Sequence, residues 1–269
     1  MKIIHLTDPH VRAHGECVRT VDTATRFAAV VDDVARRHAD ADLVVVTGDL
    51  VGDREPASYA LFRDLIGRIR APVRLLMGNH DRRALFRAAF PDHPIDADGF
   101  IQSCLDAPGP QGRLLFLDSL EEGSIGGRLC DRRLAWIAAR LAEAGDRPVT
   151  VFLHHPPLSV GVPHFVNICL HDPEGFLALL RAHRGGIRHI FFGHIHIPVS
   201  GVYPGGLPYT AARGSAHQIL LDFDTDAVAW ASGKANYNLI DLGEDRLAVH
   251  SFDFLNDELI ARGPPCAGP

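Results

Sequence analysis

A chain of 269 residues with 46% hydrophobic content can build one large domain around a full core, which excludes intrinsic disorder. The formal charge of −6, with no basic run, excludes a surface built to grip a phosphate backbone. Five scattered cysteines, Cys17, Cys104, Cys130, Cys169 and Cys266, never form a CxxC pair, which argues against both a disulfide framework and a thiolate zinc site.

In chain order, strand and helix signals then alternate. The opening "MKIIHLTDPH" has a strand-like run over 2–7 and lacks the basic and long apolar regions of a signal peptide. Phe27, Val30, Val31 and Val34 share one face of a predicted helix over 22–38, before a strand over 42–47. Leu61, Leu65 and Ile69, with Phe62 and Ile66 beside them, predict a helix over 57–70 ahead of a strand over 72–77. Further on come a strand over 113–118, a helix over 131–143 marked by Leu134, Ile137 and Leu141, and a strand over 148–153. The segment 156–171, "PPLSVGVPHFVNICLH", reads equally as a packed loop or as a wall or lid over a site. Asp172 as N-cap and Pro173 in the first turn predict a helix over 172–183, followed by a strand over 187–192.

Short, continuously apolar strands separated by amphipathic helices predict a layered α/β domain. After about residue 205 the texture turns to strands alone, "LPYTAA", "HQILLDF", "NYNLIDL" and "RLAVHSFDF", the last two forming a hairpin around "GED". We therefore expect a core over 1–204, a β-rich segment over 205–256 that completes a second sheet or makes oligomer contacts, and a poorly ordered tail over 257–269.

Five predicted strands end in groups that can bind a metal. They run into Asp8 and His10; Gly48 and Asp49; Gly78, Asn79, His80 and Asp81; His154 and His155; and Gly193, His194 and His196. The carboxyl ends of strands share one edge of an open α/β sheet, so these side chains would converge. Carboxylate, imidazole and amide oxygen without thiolate suit two divalent ions drawn from Mn, Fe, Zn or Co, with one carboxylate between them.

The blocks "DPH", "GDL", "GNHD", "HHPP" and "GHIH", in this order over residues 8–196, resemble the calcineurin-like metallophosphoesterase superfamily. The stretches "DSLEEGSIGGRLCDRRLAWIAARL" and "HHPPLSVGV" and the late "HQ" at 217–218 are similar to its class III cyclic nucleotide phosphodiesterase branch, most closely the bacterial glycerophosphodiesterases. The resemblance implies a four-layer α/β/β/α sandwich with a small C-terminal β-rich extension. It implies that Asp8, His10 and His196 hold one metal, Asn79, His154 and His194 the other, and that Asp49 bridges them. Water activated by the metals would then attack phosphorus in a small phosphodiester of the glycerophosphodiester or cyclic nucleotide type. His80 would stabilise the transition state or protonate the leaving oxygen, with Asn79 and His217 near the substrate. The metal ligands would serve phosphomonoesters too, and a non-catalytic scaffold of this fold is a further alternative.

Among neighbours of these blocks, His155 is expected to pack or hydrogen-bond, and Asp81 to cap a helix. His5, His93, His164, His171, His183, His189 and His250 have no matching partner and are expected at the surface or core edge, and "ARRH" at 35–38 as a solvated face. With no run of membrane-spanning length, we expect a cytoplasmic protein acting on a small molecule, without membrane or nucleic-acid contact, as a homodimer or larger.

Overall fold

The computed structural model describes residues 1–13 and 15–256; the tail expected over 257–269 lies outside the described residues. The first half of the chain forms β1 (Lys2–Leu6), β2 (Cys17–Val18), β3 (Val21–Asp22), α1 (Thr23–Arg37), β4 (Leu43–Val46), α2 (Pro56–Ile66), β5 (Val73–Leu75), α3 (Arg83–Ala89), β6 (Ser103–Asp106), β7 (Arg113–Phe116) and β8 (Gly127–Arg128). The second half forms α4 (Asp131–Ala144), β9 (Val149–Phe152), β10 (Leu170–His171), α5 (Glu174–Ala182), β11 (Ile187–Phe192), β12 (Val199–Tyr203) and β13 (Leu207–Ala211). It ends with β14 (Gln218–Ile219), β15 (Trp230–Ala231), β16 (Tyr237–Leu242) and β17 (Leu247–Phe252).

Six of these strands pair as β2-β3, β8-β10 and β14-β15, and the other eleven form two large sheets, one in the order β17-β16-β1-β4-β5 and the other β12-β13-β11-β9-β7-β6. In each, the central strands run parallel and the outer hairpins antiparallel. Alternation along each strand sends side chains to opposite faces. Ile3, Leu43 and Val45 thus meet Leu114, Phe116, Phe152 and Phe191 between the sheets. Ile4, Val44 and Val46 point outward onto Phe27, Val30 and Phe62 of α1 and α2. On the far side Val149, Val151 and Ile190 pack against Ile137, Phe176 and Leu177 of α4 and α5. The result is α/β/β/α, and central strands covered on both faces explain their unbroken apolar runs.

Of the strands after residue 205, β13 joins one large sheet and β16 pairs antiparallel with β1 in the other, while β14 and β15 pair with each other in a small sheet of their own. The "HQILLDF" strand shrinks to β14, and Leu220, Leu221 and Phe223 beyond it are exposed. The expected capping of α5 is also corrected. Asp172 adopts φ 54° and pairs with Arg128 at 2.6 Å, leaving Pro173 as an N-cap without a side-chain hydrogen bond. By contrast α1 is capped by a side chain, Asp22 accepting from the Thr25 N–H at 3.0 Å. The short α3 buries only Phe86 fully and so offers no helical repeat to read.

Two histidines depart from the surface expectation. His5 is fully buried between the sheets, 2.9 Å from Thr47 Oγ1 and edge-on to Phe152 and Phe191. His38, at the end of "ARRH", is buried with Nε2 3.0 Å from the Tyr237 hydroxyl. Both face inward because alternation or the helix end leaves them no solvent-facing position. No helix among the described residues is long and apolar enough to cross a membrane.

Candidate metal centre

The carboxyl ends of β1, β4, β5, β9 and β11 meet at one edge, and the side chains there are withdrawn from solvent. Asp8, His10, Asp49, Asn79, His154, His194 and His196 are all buried. Five of them, Asp8, His10, Asp49, His194 and His196, sit at φ between 43° and 70°, a region that non-glycine residues adopt at a cost of order 1 kcal/mol or more. Strain concentrated on converging polar side chains is characteristic of a functional site. Glycine is required beside them: a Cβ on Gly78 would collide with Asp49, and one on Gly193 with Thr7 Oγ1.

Each carboxylate divides its two oxygens between the backbone and the histidines. Asp8 Oδ2 accepts from Thr7 Oγ1 at 2.6 Å and the His194 N–H at 2.9 Å, while Oδ1 meets no hydrogen-bond partner among the described residues and lies 3.4 Å from His196 Nε2 and 3.9 Å from His10 Nε2. Asp49 Oδ1 accepts from the His80 N–H at 2.8 Å, and Oδ2 lies 3.5 Å from both His10 Nε2 and His154 Nε2.

The imidazoles converge on two points. His10 and His196 bring their Nε2 atoms to 3.2 Å, while His154 Nε2 lies 3.1 Å from His194 Nδ1 and 3.3 Å from Asn79 Oδ1. Their outer nitrogens explain this aim. His154 Nδ1 lies 2.6 Å from the Thr47 carbonyl and His196 Nδ1 2.8 Å from the His217 carbonyl, so each donates outward and presents the Nε2 lone pair inward.

Donor atoms of Asp8, His10, Asp49 and His196 all lie within 4.8 Å of one another, as do those of His154, His155 and His194. Lone pairs and two buried carboxylates facing each other repel unless a cation lies among them. Protonation reports the same demand. Burial disfavours charge on His154 and His196, yet Asp49 and Asp8 respectively overcome it, raising His154 to about 9 and His196 above its ordinary value. The residues present therefore fit a centre for two divalent ions.

The other expected site residues lie around this floor. His80 is exposed, its ring 4.7 Å from that of His10. The His217 ring sits 4.3 Å from that of His196, where burial pushes its imidazolium down to about 3. It is held there because Ser215 and Ala216 donate their N–H groups to the carbonyls of Thr7 and Asp8. His155 packs 4.8 Å from the His194 ring, with Nδ1 2.8 Å from Ser119 Oγ.

Asp81 does not cap a helix. Its buried carboxylate accepts from the N–H groups of Gly78 and Leu50 and from the Tyr59 hydroxyl, tying the "GDL" and "GNHD" turns together. Burial, then the Asp49 charge, raise it to about 7. Arg54, which the sequence did not single out, donates to the carbonyls of Asn79 and His80. No motif marks it; it emerges only when the main-chain acceptors of the "GNHD" turn are accounted for.

A cavity of about 450 Å³ opens onto the centre, lined by His80 and His217 and by the 156–171 segment through His164, Phe165 and Ile168. The segment is thus a wall of the site.

Residues 1–198 match the family model described as calcineurin-like phosphoesterase. The chain is 35% identical to a probable cyclic nucleotide phosphodiesterase of Rhodopseudomonas palustris, over 96% of this chain and 94% of that one. It is 34% identical to a glycerophosphodiester phosphodiesterase of Enterobacter lignolyticus, over 73% of this chain and 71% of that one. The crystal structure of a dimetal phosphatase from Danio rerio superposes with a TM-score of 0.69 at 17% identity, covering 93% of this chain and 95% of that one, a likeness of fold.

Proposed function

The chain belongs to the calcineurin-like phosphoesterase family, and on that premise we propose that it hydrolyses small phosphodiesters at a centre of two divalent metal ions. Asp8, His10 and His196 would hold one ion and Asn79, His154 and His194 the other. The position of Asp49 Oδ2, 3.5 Å from a histidine of each set, carries this reading, because one carboxylate oxygen is offered to both. The donors suit Mn, Fe, Zn or Co. When bound, such ions supply an activated water and a clamp on the phosphoryl oxygens.

The chain's own residues do the rest. The exposed His80 side chain stands at the cavity beside His10, able to give a proton to the leaving oxygen, while its N–H is anchored on Asp49. Asn79 and His217 flank the same opening and would orient the phosphate. The buried setting of the carboxylates keeps bulk water from screening their charges.

Diester rather than monoester hydrolysis is favoured by the room beyond the metal-facing groups and by the names of the relatives, glycerophosphodiesters and cyclic nucleotides being the two natural candidates. Comparing bis(p-nitrophenyl) phosphate with p-nitrophenyl phosphate under Mn, Fe, Zn and Co tests this. A higher kcat/KM on the diester is expected. Preference for the monoester would make the protein a phosphomonoesterase, and no turnover with both ions bound would make it a scaffold. The exposed Leu220, Leu221 and Phe223 supply an apolar surface for self-association, which sedimentation at working concentration would detect.

A further inference from the structure

The peptide group between Asn79 and His80 lies between two charges of opposite sign. Its N–H donates to Asp49 Oδ1 at 2.8 Å, and its carbonyl accepts from Arg54 Nη2 at 2.8 Å. Arg54 Nε donates to the next carbonyl, that of His80, at 3.2 Å. One guanidinium fork therefore spans two successive carbonyls of the turn that carries both Asn79 and His80.

The guanidinium is committed to these carbonyls. Among the described residues no carboxylate pairs with it, and it does not line the cavity, so it holds the turn and not the substrate. Arg54 adopts φ 61°, a left-handed backbone that a non-glycine residue keeps only where its surroundings hold it. The neighbouring Asp53 does so: its carboxylate accepts from the Glu55 N–H at 3.1 Å and the Ser58 hydroxyl at 2.9 Å and pairs with Arg12 at 3.3 Å.

Both bonds to the peptide group are charge-assisted, and each strengthens the other. A cation at the carbonyl draws electron density from the amide nitrogen and makes its N–H a better donor to the carboxylate. Among the described residues no lysine or arginine pairs with Asp49 itself, whose Oδ2 lies near His10 and His154, so the Arg54 charge reaches it through this peptide.

We propose that Arg54 is a positioning residue for the metal centre: by polarising the Asn79–His80 peptide and fixing its plane, it keeps Asp49 Oδ2 directed at both His10 and His154. This rests on the two-metal reading above.

Equilibrium dialysis against graded Mn²⁺ with elemental analysis, beside turnover of methyl p-nitrophenyl phosphate, tests it on the full chain. Arg54→Gln keeps a hydrogen-bond donor without the charge, and should need about tenfold more Mn²⁺ to load its second ion, as expected on loss of an outer-shell partner. Arg54→Lys, which keeps the charge and a donor, should recover most of that loss. In the fully loaded Arg54→Gln protein kcat should fall while KM changes little, because the guanidinium touches no substrate. Loading of Arg54→Gln equal to the wild type overturns the proposal, as does a deficit in Arg54→Lys as large as that in Arg54→Gln, which would mean a merely structural role for the arginine. If the wild type loads two ions but turns over no diester, the proposed reaction fails and the loading curves still decide the role of Arg54. A wild type that never loads two ions overturns both.

Discussion

The His80 N–H donates to Asp49 Oδ1 across 2.8 Å, and that bond leaves Oδ2 as the oxygen directed at both His10 and His154. A main-chain donor cannot rotate away, so the orientation of the carboxylate is set by the turn that carries His80. Asp49→Ala should therefore reduce kcat/KM by more than about 100-fold, beyond the loss typical of an outer-shell partner, and lower metal content below two ions per chain. Elemental analysis beside the diester assay checks this. Normal turnover in the variant would remove Asp49 from its bridging role.

His80 presents the opposite case, because its contribution to Asp49 comes from the backbone and survives replacement of the side chain. His80→Ala should keep both ions yet lower kcat by roughly 10²- to 10⁴-fold, the range of a general acid. The deficit should be larger for an alkoxide leaving group than for p-nitrophenolate, which departs without a proton. Loss of an ion on elemental analysis would show instead that the ring is a ligand.

Asp81 tests whether the centre depends on the turns beneath it. Asp81→Ala strands the N–H groups of Gly78 and Leu50 and the Tyr59 hydroxyl without an acceptor, and should destabilise the protein by roughly 3 kcal/mol or more. Asp81→Asn keeps an oxygen for the two amides and should cost only about 1 kcal/mol. Urea midpoints at constant m-value measure both. Equal small losses would leave the carboxylate without a bracing role.

The layers and the strand-end cluster were legible because each rests on a local pattern. Unbroken apolar strands such as "DLVVVT" require cover on both faces, and parallel strands bring the residues that follow them to one edge. What escaped depends on partners distant in sequence. Asp81 looked like a cap because its acceptors and donors are separated by up to 31 residues, as in its bond from Leu50. His5 looked peripheral because only the second sheet, through Phe152 and Phe191, covers it. The ion pair of Asp172 with Arg128 is likewise 44 residues long, and no N-cap rule anticipates it.

Acid stability should depend on His93, a histidine outside the metal-facing set. His93 is held between the Phe86 ring, 5.2 Å away, and the Leu75 carbonyl, which accepts from Nε2 at 3.0 Å. Burial pushes its imidazolium down to about 4, with the Leu75 carbonyl opposing and the Arg74 charge reinforcing the shift. The folded state thus binds this proton less tightly than the unfolded chain, where histidine titrates near 6.5. The resulting stabilisation is present above pH 6.5 and is lost as pH falls through about 4, with a full span of about 3 kcal/mol. Gln at this position can still donate to the carbonyl but does not titrate. Urea unfolding at pH 7 and pH 4.5 should therefore show the stability of the wild type falling relative to His93→Gln as the solution is acidified. A difference between the two proteins that is the same at both pH values would mean that His93 is free to take up its proton in the folded state.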